Sequence, residues 1–556
     1  MSETTVELTG VTQPEAVAVK PDLPSATRSA TGSSARSLAR KDESDASPAN
    51  GTADDNQRSI TVTSKGRTTV IIASVTLITT ISTLLNGLTT VALPTIAREL
   101  DIPEGLVFWP TSIQALTTGC TLLICGSLAD ALGSRFMYLT GSVLQAGMIL
   151  GCGLSHTSAQ LILFRGLSGI ALSFCLPSVV SIITASFVGK RRNIAFATMG
   201  GGQPIGFAIG LVLGGVLTGT IGWRWGFHLS AILDIVIVGV AVWGLPKEID
   251  NPPGTPDTPA SRSWSQRFAR TKTDIDWIGA IIASASLALL SYALATITGE
   301  TSDIREPSTI ATLVVAIALI PVFIYWMHRR EHITHKPALI PNSLWRNNSF
   351  TAICLAVFLT WGAFNSIETL LTFFFQDVQD LSAIQTSLRF LPTPVAGIVW
   401  NVLMGALVHK VKANYLVIGG CTLSLIAPLV MVPTTPESMF WKSAFLANIF
   451  SAAGADALFT SGNLVITSVF PDKTQALAGG VFNTISQIGK SVGLVIVAVI
   501  ASSVTSQSSN EDEHSPEALL EGYHAGFWFI FAITVATIGL CLWGLRGIGK
   551  VGHKQD

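Results

Sequence analysis

Apolar stretches of membrane-crossing length recur along this chain from about residue 70 almost to its end, and they narrow its possible folds more than any other feature. A helix rises about 1.5 Å per residue, so about 20 residues cross the hydrocarbon core of a bilayer. Such segments lie near 70–92, 107–128, 136–155, 159–186, 194–219, 226–246, 275–297, 308–328, 349–374, 384–408, 414–432, 440–468, 475–503 and 523–545, fourteen in all. In lipid the backbone must satisfy its own hydrogen bonds, which leaves helices or a closed barrel. Barrel strands alternate apolar and polar residues, and these segments do not. Charged residues are only 12% of the chain, about half the share of a soluble domain. The expected fold is an all-α polytopic membrane protein.

The formal net charge of −1 gives no basic excess for nucleic acid. The seven cysteines all lie in apolar stretches without paired spacing, so they read as small core hydrophobes. The first 68 residues are rich in Ser, Thr, Ala and Pro, too polar to bury a core, and read as a disordered tail. No secretory signal precedes the first span, which then serves as an uncleaved targeting segment.

An even number of spans places both termini on one side. That side collects Arg135, Lys190-Arg191-Arg192, the loop with Arg262, Arg267, Arg270 and Lys272, Arg329-Arg330, Lys410, Lys412 and Lys473. The opposite side carries Asp101, Glu104, Glu300, Asp303 and the loop SSNEDEHSPEALLEG. The basic side is therefore expected to be cytoplasmic.

The chain also repeats itself. FVGKRRNIA at Phe187 aligns with FPDKTQALA at Phe470, and in the same register Ile205, Gly206, Gly210 and Leu211 meet Ile488, Gly489, Gly493 and Leu494. GSLADALGSR likewise matches GALVHKVKAN, with Gly126 on Gly405 and Leu128 on Leu407. The shared order makes spans 1–6 and 9–14 two halves with spans 7 and 8 inserted, an arrangement suited to alternating access around a central site. The expected organisation is a cytoplasmic tail 1–68, a six-helix bundle 69–247, a linker 248–274, two inserted spans 275–330, a loop 331–348, a second bundle 349–546 and a tail 547–556.

Within the fifth span Gly202, Gly206, Gly210 and Gly214 recur every fourth residue, on one helical face. In lipid such a stripe lets a neighbouring backbone come close. With Gln203-Pro204 at its head and Gly215 at its end, the segment resembles the antiporter motif G-x-x-x-G-P-x-x-G-G. The loop Gly126-Ser127-Leu128-Ala129-Asp130-Ala131-Leu132-Gly133-Ser134-Arg135 resembles the signature G-x-L-a-D-r-x-G-r-k, with Ala131 and Ser134 where the pattern has basic residues. LILFRGLSGIA, with Arg165 and Gly169, resembles R-x-x-q-G. NGLTTVALP resembles L-D-x-T-x-V-N-V-A-L-P at Val91-Ala92-Leu93-Pro94, without its acidic residue and with Asn86 nearby. DWIG, from Asp276 to Gly279, opens the seventh span. On these motifs the chain resembles the major facilitator superfamily, and within it the fourteen-helix drug:proton antiporter branch of fungi and bacteria.

The resemblance implies two pseudo-symmetric six-helix bundles plus two inserted transmembrane helices. It implies a gating loop at Gly126, Asp130, Gly133 and Arg135, with Arg135 paired to Asp130 in one conformation, and a role in proton transfer for Arg165. Against those stand a plain turn with a surface ion pair, and an arginine that snorkels to the interface.

Ionisable residues inside spans are costly and mark candidate sites. Here they are Arg165, Asp234, Glu368, Asp456 and Lys490. A carboxylate that leaves water for a low-dielectric cavity exchanges protons nearer neutrality. Glu368 is the first choice for that role. Asp456 and Lys490, near mid-helix on adjacent spans, form a possible neutralising pair, and Asp234 can face Arg224 or His228. Asn86, Gln114, Gln145, Trp361, Asn365, Asn401, Asn483 and Gln487 are candidates for lining a substrate cavity or for interhelical hydrogen bonds. Trp361, Phe364, Phe373, Phe374 and Phe375 offer stacking surfaces or interface anchors.

The expectation is a monomeric, proton-driven exporter of small amphipathic organic molecules in the plasma membrane. Its partners are substrate, protons and lipid, and it needs no cofactor or metal. Uptake by a related carrier and a non-transporting receptor are the alternatives. A membrane enzyme finds no phosphate loop, metal cluster or nucleophile–His pattern in its support.

Overall fold

A computed structural model describes residues 65–103, 106–187, 189–250, 271, 275–299, 306–336, 338–407, 410–470, 472–508 and 515–546. The expected tail 547–556, nearly all of the tail 1–68 and most of the linker 248–274 lie outside the described residues. Fourteen helices are long and apolar enough to cross a membrane, and no strand occurs among the described residues. They are α1 (Lys65–Glu99), α2 (Trp109–Leu132), α3 (Ser134–Gly153), α4 (Ser158–Ser186), α5 (Gly189–Thr220), α6 (Arg224–Gly244) and α7 (Trp277–Gly299). The others are α8 (Pro307–His328), α9 (Asn348–Phe373), α10 (Ala383–Leu407), α11 (Ala413–Met431), α12 (Ala444–Val469), α13 (Asp472–Thr505) and α14 (Pro516–Gly544).

The expected boundaries hold to within a turn for most spans, and the departures have local causes. α1 runs on through Pro94 to Glu99, because a proline inside a bundle is tolerated where neighbours re-satisfy the backbone. α10 breaks at Leu391, ahead of Pro392, and α11 breaks at Leu425. Pro392 and Pro428 each lack the N–H that would bind the carbonyl one turn back. Side chains start several helices: Asn347 accepts from the Phe350 N–H, Thr157 from Gln160 and Ser515 from Ala518.

The two halves repeat one packing scheme. α1 packs on α5, α2 on α4, and α3 on α4 and α6; α9 packs on α13, α10 on α12, and α11 on α12 and α14. The glycines show the correspondence atom by atom. A Cβ on Gly206 or Gly210 of α5 would overlap the carbonyl oxygens of Thr80 or Leu84 in α1. A Cβ on Gly489 or Gly493 of α13 would overlap Phe358 or Gly362 in α9 in the same way. Across the halves α2 meets α13 and α5 meets α10, the two contacts a pseudo-twofold generates. The inserted pair breaks that symmetry, since α7 packs on both α2 and α13. Asp276 holds the pair together. It caps α7 through the Gly279 N–H at 3.0 Å, accepts from Trp326 Nε1 at 3.0 Å and faces Arg330 at 3.7 Å.

Among the described residues, the large core that the halves share lies at one end. On the acidic side Val91, Leu93 and Leu211 of the first half pack into one cluster with Phe373, Phe374, Phe375, Val378 and Phe390 of the second. Phe108 and Phe373 pack across the seam with centroids 5.1 Å apart and ring planes tilted by 55°. On the basic side each half has its own core, one around Ile71, Tyr138 and Ile183 and another around Phe350, Val417 and Phe482, which Leu123 of α2 touches.

Candidate functional site

Trp361, Asn365 and Glu368 lie at i, i+4 and i+7 on α9, and Asn483, Gln487 and Lys490 repeat that spacing on α13. Each set occupies one helical stripe. Gly362, Gly489 and Gly493 let the two backbones meet, and this brings Lys490 onto α9. Its ammonium lies 4.1 Å from the Trp361 ring centroid, a cation–π distance. The Asn365 amide donates to the Lys490 carbonyl oxygen at 3.4 Å. Glu368, itself buried, interacts electrostatically with Lys490 without direct contact. Glu368 Oε1 and Trp361 Nε1 are buried with no hydrogen-bond partner among the described residues. Phe364 and Phe459 close the aromatic side of the site against Trp361. The result is an ammonium, a carboxylate, an amide and an indole, gathered between α9, α12 and α13.

The other ionisable candidates stand apart from it. Asp456 of α12 accepts from Asn401 Nδ2 of α10 at 2.9 Å, and its other oxygen has no partner. Lys490 therefore answers to Glu368, and the expected Asp456–Lys490 pair does not form. Asp234 of α6 is fully buried with both carboxylate oxygens unpartnered. Arg224, one partner expected for it, instead binds Glu99 at 2.9 Å. Arg165 is 1% exposed, so it does not snorkel; its Nε donates to the Pro110 carbonyl at 2.9 Å and ties α4 to the start of α2. Gln114 and Gln145 are buried in the first half, and Gln145 has neither amide atom partnered. Asn483 bonds back to Gly479 O at 2.9 Å, whereas the half-buried Asn86 and Gln487 make no side-chain hydrogen bond among the described residues.

The expected gating loop is engaged differently from its pattern. Gly133 sits at φ +108°, where a side chain is strained, and a Cβ there would meet the Asp250 carboxylate. Gly126 lies in ordinary contact range of Pro177. Arg135 does not pair with Asp130. Its guanidinium donates to Leu245 O at 2.9 Å and Val242 O at 3.2 Å, capping the end of α6, while its backbone N–H donates to Asp250. Asp130 is exposed and unpartnered among the described residues. The glycine ladder also faces inward. Gly202, Gly206, Gly210 and Gly214 press on α1, and Gly215 alone of the motif meets the other half, at Ser387 and Ala383 of α10. Pro204 is accommodated within α5.

Phe373, Phe374 and Phe375 neither face lipid nor offer a ligand surface; they form the acidic-side seal. One residue there had no sequence signal. Gln376, in the π-turn after α9, donates across the seam to Val91 O at 2.8 Å. A single glutamine at the end of an apolar run is indistinguishable by pattern from an interface residue. A cavity of about 560 Å³ opens near the acidic end of the first half, between Glu99, Leu150, Arg224, Trp225 and His228; Glu368, Asp456 and Lys490 do not line it.

The family model of the Major Facilitator Superfamily matches residues 75–494, from within α1 to within α13. The chain belongs to the Major Facilitator Superfamily. It is 37% identical over 528 residues to "MFS-type transporter 1" of Pyricularia oryzae, covering 88% of this chain and 86% of that one. It is 23% identical over 456 residues to "Efflux pump terJ" of Aspergillus terreus, covering 81% and 82%. Among solved structures, a bacterial homologue of the human lysosomal transporter Spinster, inward-facing and occupied, superposes with a TM-score of 0.55 at 18% identity, over 87% of this chain and 98% of that one. The protein is a multi-pass membrane transporter and not an enzyme.

Proposed function

We propose that this transporter belongs to the drug:proton antiporter branch and exports small amphipathic organic compounds in exchange for protons. The observation that carries this reading is Glu368. It is a carboxylate buried inside a span, with one oxygen unpartnered and an ammonium acting on it from the neighbouring helix. Such a group holds a proton in one conformation and yields it in another. The efflux relative and the glycine-rich α5 support the outward direction. The basic side is taken as cytoplasmic and the membrane as the plasma membrane. The shared core at the acidic end and separate cores at the basic end then describe a carrier closed to the outside.

In the cycle, substrate enters from the basic side while Glu368 is ionised, and the halves rock. A proton arriving from the acidic side takes the carboxylate and substrate leaves. A ligand moves this equilibrium only through its different affinity for the two states. The test is uptake into inverted vesicles under an imposed proton gradient. Wild type accumulates substrate, and Glu368→Gln loses the gradient dependence while retaining exchange of substrate for substrate. Accumulation that ignores the gradient in wild type rejects proton exchange. Accumulation inside intact cells favours uptake.

A further inference from the structure

We infer that the Glu368–Lys490 site selects uncharged, hydrogen-bond-donating amphiphiles against organic cations, and that Lys490 makes the selection; the inference rests on the proton-exchange reading above. It starts from a count of charges. Among the described residues Lys490 is the one ionisable group that acts on Glu368. On the other elements packed against α9, Asp456 is turned to Asn401, His524 of α14 to Thr434, and Asp377 interacts with Arg98. With Lys490 protonated, the site is neutral when Glu368 is ionised and carries one positive charge when Glu368 is protonated. In neither state is it net negative.

Lys490 is held where it stands. Gly489 and Gly493 on either side of it press on Phe358 and Gly362, and Asn365 bonds its carbonyl. Its ammonium rests on Trp361 and donates to no acceptor among the described residues. Inside the protein its field is weakly screened.

The three charge classes of ligand then behave differently. A cation meets an ammonium that it cannot displace. An anion is drawn to Lys490 most strongly once Glu368 is protonated, so anion and proton favour each other by linkage, which gives co-transport and not exchange. A neutral donor binds the ionised carboxylate through a charge-assisted hydrogen bond, roughly twice as strong as one to the neutral acid. A proton therefore weakens that ligand, and of the two classes that Lys490 admits only this one competes with the proton as exchange requires.

The experiment uses the purified full-length protein. Equilibrium binding of tetraphenylphosphonium is measured for wild type, Lys490→Gln and Lys490→Arg, beside gradient-driven flux of tetraphenylphosphonium and of the neutral donor cycloheximide in proteoliposomes. Lys490→Gln is expected to bind the cation at least tenfold more tightly than wild type, with Lys490→Arg like wild type. Equal binding by wild type and Lys490→Gln, or loss of exclusion in Lys490→Arg, overturns the inference. Should Lys490→Gln not be recovered folded, wild type alone decides: saturable micromolar binding of the cation overturns it and absence of such binding supports it. Failure of the exchange reading shows separately, as no gradient-driven flux of either probe while cation binding still follows Lys490.

Discussion

Two glycines in α5, ten residues apart, should respond in opposite ways to one added methyl group. Gly210 lies against α1 so closely that a Cβ would overlap the Leu84 carbonyl oxygen, a backbone atom with no rotamer to yield. Gly200 has nothing within 4 Å of its Cβ position. Alanine gains about 1 kcal/mol over glycine in a helix interior, and overpacking a tight contact costs about 1–3 kcal/mol. For Gly210→Ala the steric cost falls at the upper end and the propensity gain offsets part of it, leaving a loss of about 2 kcal/mol. For Gly200→Ala only the gain remains. The two variants should differ by about 3 kcal/mol in stability. Fluorescence-detected gel filtration after heating reads this as a lowered midpoint for Gly210→Ala and an unchanged or raised one for Gly200→Ala. Gly489→Ala should follow Gly210→Ala, because its Cβ would overlap Phe358 O in the second half. Equal midpoints for Gly200→Ala and Gly210→Ala would refute the claim that the ladder is a backbone-to-backbone contact.

Other perturbations probe the seal and the inserted pair. Gln376→Ala removes the 2.8 Å bond to Val91 O across the acidic-side seam. A loss of about 1 kcal/mol raises the outward-open fraction about fivefold, read as faster alkylation of a cysteine at Ser387 by an impermeant maleimide. Asp276→Ala strips the α7 cap, the Trp326 bond and the charge facing Arg330 together. It should lower thermal stability by about 2 kcal/mol. Asp276→Asn keeps an acceptor for the first two and should cost less in the same assay.

The membrane architecture was legible because lipid leaves a chain few options: span length and the absence of alternation already imply the helices. The repeat was legible because glycines at matched positions serve the same contact in both halves, Gly206 with Thr80 and Gly489 with Phe358. Sites were harder to read. Trp361, Asn365, Glu368 and Lys490 were each visible as costly or polar, but their meeting depends on how α9 rotates against α13, which no spacing within one helix specifies. For the same reason Asp456 was matched to the wrong partner. Arg135 also binds carbonyls at the end of α6 in this conformation, and backbone acceptors leave no mark in a sequence. Gln376 acts on a carbonyl of the other half and was invisible on the same ground.

Rocking of one half against the other is tested most directly by two interspin distances measured in one preparation. Labels at Ile221 and Met439, both exposed near the acidic end, report that end; labels at Ile194 and Tyr415 report the basic end. When external pH falls, the first distance should lengthen as the second shortens. Distances that stay fixed, or that lengthen and shorten together, would contradict the two-half carrier.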